Sequence, residues 1–574
     1  MVAVTSYKEM NPMSKFESTL RNRGLTSAIT TLDGSDLSTY NGAPGFERDA
    51  QSELLLLASQ FMVNEKTYYE NDVDRRTRFN MLIWICAVEA EDWTVDFLRW
   101  LRCDANIRSA SIAGACEFVH GRWFVNDELA MRSKPLRKFN ASLGRQVADL
   151  VCQRGDEPAE LLAYWVSTYG KPIPAAIRRG AGDAATRLYT EFNAGKYDGN
   201  RRAFRMGDLL QLSRPCPTSP AQSGLFKGLI ADRLGITEDT HPDLKMRLMR
   251  EALFSYPVEI RRDFVKASVA RASEAFKAAG FVWEDVAGWL QGPMDKTAWE
   301  ACVPIMGVFA LLRNLRNFDE VGVSDEVVQK VCEKISETEA VCRARVFPMR
   351  FLSAYRAAPS LRWSWALERG MAASLSLLPT LRGRSLLLID SSDSMYESIS
   401  EDSELMFSDN AKAFGLALAK RILESGRGDS VDVVSFSSTP TWGPKMGAVP
   451  SRVFTPRLGE SVLAALARWE NEGLDLRWGT DTIGAVNRHY HSHDRVIVLT
   501  DAQADDHPAE HVFAAIPDRV PCYTYNLVGY RAGHAPSGVK NRHELSGLSD
   551  ASFTIMSALE AHGSGRWPWE HAVA

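Results

Sequence analysis

The stretch Ser385-Leu-Leu-Leu-Ile-Asp390-Ser-Ser-Asp-Ser394-Met395 decides the fold of this chain. Four apolar residues in succession, Leu386 to Ile389, suit a strand buried on both faces, as in a parallel sheet covered by helices. The chain then turns polar at once. Asp390, Ser392 and Ser394 stand at alternate positions, so a loop leaving the strand aims three oxygens at one point. Hard divalent cations take such a shell, and Mg2+ in particular uses few carboxylates and keeps waters. Sites of open α/β sheets lie beyond the carboxyl ends of the strands, where this cluster falls.

Two further pieces supply more oxygens. Val496-Ile-Val-Leu-Thr500-Asp501 is a second buried strand with a carboxylate at its end, and Gly479-Thr480-Asp481-Thr482 opens a helix with a hydroxyl. Between and around them, a helix ending at Gly426, a strand Val431 to Phe436, a hairpin arm near Trp442, a helix from Gly459 to Trp469, another after Thr480, and a strand from Pro521 to Val528 alternate. Alternating strands and helices predict an α/β doubly wound parallel sheet over residues 376–574.

Working toward the N-terminus, residues 46–375 read as helices throughout. Ala50 to Val63, Arg78 to Val88, Ile107 to Val119, Leu143 to Cys152, Pro158 to Tyr169, Met246 to Leu253, Ala298 to Phe318 and Leu361 to Leu377 carry apolar residues at three and four spacing. Many one-sided helices with short connections predict stacked helix pairs, an α-helical HEAT-like repeat array. Residues 1–45, rich in Ser, Thr, Asn and Gly, read as an irregular arm. A net charge of -5 excludes a uniformly basic nucleic-acid binder but leaves room for a local patch. Nine scattered cysteines without a C-x-x-C pair predict reduced thiols in the cytoplasm, and no run is long enough for a membrane helix.

The order Asp390-x-Ser392-x-Ser394, then Thr480, then Thr500-Asp501 resembles the von Willebrand factor A domain and its metal-ion-dependent adhesion site. The resemblance implies Mg2+, or another divalent cation, held by Asp390, Ser392, Ser394, Thr480 and Asp501, with Thr480 preferred to Thr482 because it follows the glycine. Simple helix capping by the two aspartates is the plainer alternative. A phosphotransferase of the haloacid dehalogenase type would need an acid two residues after Asp390, where this chain has Ser392. Asp393 departs from the glycine usual in relatives and leaves recognition of an acidic partner open.

Asn41-Gly-Ala-Pro-Gly45-Phe46, Thr67-Tyr68-Tyr69-Glu70, Asn106-Ile-Arg108-Ser-Ala-Ser111, Ala310-Leu-Leu-Arg313-Asn314-Leu-Arg316-Asn317 and Phe347-Pro348-Met-Arg350 follow one another in this chain. These pieces resemble the TROVE domain and, with the A domain, the Ro autoantigen family in a bacterial or phage-type form. The resemblance implies a ring of helical repeats closed by the A domain. It also implies a monomeric ribonucleoprotein that binds Y RNA-like small structured RNA outside and misfolded RNA with single-stranded 3' ends through its hole. RNA quality control and a tether through the Y RNA to an exoribonuclease are further implications.

The segment 171–214 gives that reading a chemical basis: Lys171, Arg178, Arg179, Arg187, Lys196, Arg201, Arg202, Arg205 and Arg214 stand against only Asp183, Glu191, Asp198 and Asp208. Arginine's planar fork suits phosphate and base edges, and Tyr197 and Phe204 offer stacking surfaces. A solvated charged face is the plainer alternative. Relatives use a histidine near the end of this segment for RNA, where this chain has Arg214. Arg313 and Arg316 share a helix face and either reach RNA or bond neighbouring helix ends. Arg132, Lys134, Arg137 and Lys138 make a weaker basic cluster. His489, His491 and His493 read as surface histidines at a helix end, and Trp567 and Trp569 as a tail packed on a domain surface. Nothing in the sequence asks for catalysis. The competing reading is a protein-interaction scaffold that grips an acidic partner through the cation, without RNA.

Overall fold

The computed structural model describes residues 27–32, 37–60, 67–125, 141–200, 202, 204–375, 381–399, 404–426, 428–439, 450–504, 511–546, 556, 559 and 566–570. Arg132, Lys134, Arg137, Lys138, Arg201 and Trp442 lie outside them. Between Asp72 and Ser374 the described residues form helices and no strand. Local signals set their limits. Asn71 caps Asp72–Glu89 by accepting from Asp74 N at 2.9 Å, with Asp72 and Asp74 in the first turn. Pro220–Leu234 starts after Ser219 with proline in its first turn and stops at Gly235, φ +68°. The apolar pattern from Ala298 to Phe318 is two helices, Lys296–Cys302 and Val308–Val321, separated by a 3-10 turn at Val303–Ile305. Pro304 supplies no amide proton there, so the α ladder breaks.

The sheet comprises β1 (Arg384–Asp390), β2 (Ser430–Phe436), β3 (Ser451–Phe454), β4 (Arg495–Thr500), β5 (Cys522–Asn526) and β6 (Arg542–Ser546), in the order β3-β2-β1-β4-β5-β6. All neighbours are parallel except β2 and β3. β2 and β4 flank β1 on opposite sides, so the winding reverses at β1, and this creates a crevice beyond its carboxyl end. Alternate side chains divide between two cores. Leu386, Leu388, Val496 and Val498 face one cluster, whereas Leu387, Ile389, Ile497 and Leu499 belong to a cluster continuous with the helices from Leu253 onward.

The helical path returns to the sheet domain at both ends and closes as a ring. At the start, Arg75 Nη2 donates to Val528 O at 2.6 Å and Arg78 Nη2 to Gly529 O at 2.9 Å, both arginines being paired with Glu70. Gly529 has φ +76°, and an added Cβ would stand 3.1 Å from Leu56 O, so the approach of the two units requires glycine there. At the far end, Leu361–Ser374 packs on Val462–Asn471 and Pro348–Ala357 on Phe407–Leu423. Arg345 Nη1 joins the two ends directly by donating to Cys103 O at 2.7 Å. Trp567 and Trp569 stack on each other and meet Trp93 edge-on, with Trp569 also against Phe97 and Trp100, so the tail is clasped to the helix Glu91–Cys103.

Of the three histidines expected at the surface, His491 is exposed, His489 is half-buried and His493 is buried. His493 is buried and bonds Asp432 Oδ2 at 2.8 Å, and His489 bonds Ser451 Oγ at 2.9 Å, because the helix Thr482–His489 ends against β2 and β3 rather than in solvent. His543, on β6 and stacked on Tyr523, is pushed down to about 4, first by burial and then by the Arg542 charge. The unfolded chain takes up this proton near 6.5, so the stability due to a neutral His543 is complete above that pH and is lost as pH falls toward 4. The expected loss is about 3 kcal/mol. His543→Phe should remove that part of the acid sensitivity in urea titrations at stepped pH, and an unchanged profile would contradict the assignment.

Candidate functional site

The crevice beyond β1 and β4 gathers the three separated pieces of sequence. Leu388 to Ile389 pair with Val498 to Leu499, which brings Asp390 beside Thr500 and Asp501. Asp390 Oδ1 accepts from Ser392 N at 2.8 Å and its Oδ2 from Thr500 Oγ1 at 2.5 Å. Ser392 and Ser394 hydroxyls are 3.3 Å apart. Thr480 arrives on a loop hooked to the first one: Arg477 N donates to Ser391 O at 2.9 Å, Asp393 N to Trp478 O at 2.7 Å, and Ser438 N to Gly479 O at 2.8 Å. Arg477 and Trp478 both hold positive φ, +67° and +80°, a strain this tight delivery sustains.

Asp390, Ser392, Ser394, Thr480 and Asp501 are all buried. Thr480 Oγ1 and Asp501 Oδ2 end without a hydrogen-bond partner among the described residues, as does Thr482 Oγ1. Burial, and then the charge of Asp390, raise Asp501 well above the usual carboxylate range, with the Ser394 hydroxyl acting in the opposite direction. Two buried carboxylates in mutual repulsion, with hydroxyls and an orphan oxygen around them, fit a hard divalent cation, which removes the repulsion and supplies the missing partner. The shell has too few carboxylates for an all-anionic cage and suits a cation that keeps water. Asp393 lies outside it, half-exposed, 3.8 Å from Arg477, whose guanidinium covers the Tyr396 ring at 3.3 Å. Its negative charge is therefore partly offset by its own neighbour.

The side of the site facing the helical ring is covered, a feature no spacing in the sequence announces. Tyr69 lies next to Ser394, and burial, then the charge of Asp501, raise its phenol above the usual value. Its hydroxyl donates to Asn41 Oδ1 at 2.7 Å, and its ring stacks on Tyr40. Tyr40 N donates to Gln503 Oε1 at 2.8 Å and Thr39 Oγ1 to Ala504 O at 2.9 Å, so the arm before the first helix is bonded to the loop that carries Asp501. The Asn41 and Thr67–Glu70 pieces thus wall one side of the candidate site.

The basic segment divides. Arg205 is buried and paired with Asp198 at 2.7 Å, Arg187 bonds Asp149 at 2.8 Å and the Cys152 carbonyl, and Arg202 reaches Asp156 and Glu160 at 3.3 Å. Lys171, Arg178, Arg179, Lys196 and Arg214 are exposed and have no ion pair among the described residues. Lys196 lies over Tyr197 at 5.0 Å. Arg214 adopts φ +48° as the cap of Met206–Ser213 and borders a cleft of about 450 Å³ shared with Pro215, Phe226 and Lys227. Lys227 escapes sequence reasoning because it stands alone beyond the basic run. Arg316 pairs with Glu320, while Arg313 stays exposed.

Comparison with known proteins agrees with this architecture. Residues 282–398 match the TROVE domain family, a span that runs from the helix Trp283–Leu290 through β1 into Ser392 and Ser394. The chain is similar in structure to the Ro (RSR) protein of Deinococcus radiodurans, with a TM-score of 0.56 and 17% sequence identity over 89% of this chain and 99% of that one. No curated protein matches the sequence. Residues 282–398 thus resemble the TROVE domain family, and the chain shares the fold of that Ro protein, a ring of helices closed by a domain built on a mostly parallel sheet.

Proposed function

We propose that this chain is an RNA-binding scaffold rather than an enzyme: a monomeric ring that holds a Y RNA-like small structured RNA on its outer surface. Misfolded RNAs with single-stranded 3' ends are its second class of ligand, which places it in cytoplasmic RNA quality control, with an exoribonuclease recruited through the bound RNA. Mg2+ held by Asp390, Ser392, Ser394, Thr480 and Asp501 fixes the loops that meet the ring. When bound, the ion neutralises the two carboxylates and retains water on its remaining positions. No helix among the described residues is long and apolar enough to cross a membrane.

The observation that carries the RNA reading is the set Lys171, Arg178, Arg179, Lys196 and Arg214, exposed and without an ion pair among the described residues, beside the paired Arg187, Arg202 and Arg205. Such cations attract phosphate through counterion release, and side chains cannot read bases within the deep major groove of A-form RNA, so shape and backbone dominate. Replacing Arg178, Arg179 and Arg214 by alanine should weaken binding of a hairpin RNA by about tenfold and flatten the log K against log salt plot by about 2. Undiminished affinity and slope in that variant would remove this surface from the account. The competing reading, an acidic protein gripped through the cation, has less support because the five candidate ligands are buried and Tyr69 covers one side of them.

A further inference from the structure

Three pieces far apart in the chain converge on the loop that carries Asp501. The loop itself is strained: Ala502 holds φ +63° although it carries a Cβ, and it is fully buried. Gln503, buried next to it, is gripped from three directions. Its backbone N donates to Asp501 Oδ1 at 3.1 Å, its Nε2 donates to Ala532 O at 2.8 Å, and its Oε1 accepts from Tyr40 N at 2.8 Å. Asn41 Nδ2 also reaches Gln503 O, at 3.4 Å. Asn41 Oδ1 in turn accepts from the Tyr69 hydroxyl at 2.7 Å, and Tyr69 belongs to the turn that leads into the ring helix Asp72–Glu89. One chain of hydrogen bonds thus runs from the ring, through the arm, to a candidate ligand of the cation.

These bonds decide which oxygen of Asp501 is available. Gln503 N takes Oδ1, so Oδ2 is the atom left for the cluster of Asp390, Ser392, Ser394 and Thr480, and it has no hydrogen-bond partner among the described residues. The same loop bears the opposition of two buried carboxylates, Asp390 and Asp501. Two agents hold it against strain and repulsion: a cation between the carboxylates, and the grip of Tyr40 and Asn41 on Gln503. Both favour one conformation of the loop. Each therefore strengthens the other, and the coupling is reciprocal.

We propose that Asn41, Tyr69 and Gln503 are positioning residues of the cation site, and that cation binding and closure of the arm on the Asp501 loop are one coupled equilibrium. This rests on the cation reading above and is independent of the RNA surface. The three residues act through Asp501 and are not ligands themselves. The divalent cation then sets how firmly the start of the ring is fastened to the sheet domain.

Calorimetry with Mg2+ and hydrogen exchange, both on the full chain, test this. Gln503→Ala and Asn41→Ala should each weaken Mg2+ binding by about tenfold. Tyr69→Phe, which loses the hydroxyl and keeps a ring to stack on Tyr40, should weaken it by about fivefold. A purely structural role would lower stability in EDTA and leave the Mg2+ dissociation constant unchanged, so the two roles part at this readout. Reciprocally, saturating Mg2+ should slow exchange of the Tyr40 amide by about tenfold in the parent and not in Asp390→Ala, while amides of the helix Trp283–Leu290 keep their rates. Thermal melts in EDTA establish which variants fold; if Gln503→Ala does not, Asn41→Ala and Tyr69→Phe carry the test. Parent Mg2+ affinity in the folded variants, or Tyr40 exchange indifferent to bound Mg2+, overturns the coupling and leaves the cation site standing. A parent chain that binds no Mg2+ overturns the cation site, and the coupling with it.

Discussion

Replacing Arg48 by alanine is expected to destabilise the folded chain by about 3–5 kcal/mol, among the largest effects of any single substitution in it. Arg48 belongs to the stretch just before the first helix, and Glu544 to β6, yet both are buried. The guanidinium donates to Glu544 through Nε at 2.6 Å and Nη2 at 2.5 Å, and its Nη1 reaches the Tyr530 and Arg531 carbonyls at 2.9 and 2.8 Å. Without it, Glu544 keeps Asn526 Nδ2 at 3.0 Å but loses its counter-charge. The loss is a broken pair and not a measure of the pair's net contribution, because an apolar substitute for both residues avoids the desolvation of two charges. Arg48→Met combined with Glu544→Leu should therefore recover much of the stability lost in Arg48→Ala, as read by urea denaturation. If Arg48→Ala unfolds at the same midpoint and slope as the parent, the arm is not anchored as described.

Asp390→Ala is expected to abolish Mg2+ binding in calorimetry and, with it, the rise in stability that the ion gives. A ligand at a hundred times its dissociation constant stabilises a protein by about 2.7 kcal/mol, so the parent should gain roughly that much and the variant nothing. In the absence of Mg2+ the variant should lose less than a buried carboxylate usually costs, because its removal also relieves the repulsion on Asp501. Thr480→Ala takes away an oxygen that has no other partner among the described residues, and should weaken the ion while leaving the metal-free fold intact. Identical titrations for parent and Asp390→Ala would refute the site.

Much of the sheet is legible from its side chains. Leu386 to Ile389 and Val496 to Leu499 are continuous apolar runs because both faces of β1 and β4 are covered, and their terminal aspartates mark the crevice without help from the structure. β6 is not legible, since Arg542-His-Glu-Leu-Ser546 has the composition of a loop. It is nevertheless buried throughout, because Arg48 answers Glu544 and the carbonyls of Val520, Phe513 and Ile516 answer Arg542. Partners outside the strand, Arg48 almost five hundred residues away among them, leave no trace in local periodicity. Distant partners likewise hide the role of Asn41 and Tyr69 beside the candidate site, and Asp432, on β2, holds His493 buried while His491 stays exposed. The basic segment was legible as charge but not as availability: the sequence presents Arg205 and Arg178 alike, and only the fold shows that Asp198 occupies the first.

The most direct test of the central claim is the nucleic acid that accompanies the chain when it is purified from its native host at low salt. Small structured RNA is expected in stoichiometric amount, retained at physiological ionic strength, released at high salt, and recovered as a few discrete species on sequencing. Protein that elutes free of RNA under those conditions, while carrying protein partners whose association depends on Mg2+, would contradict it.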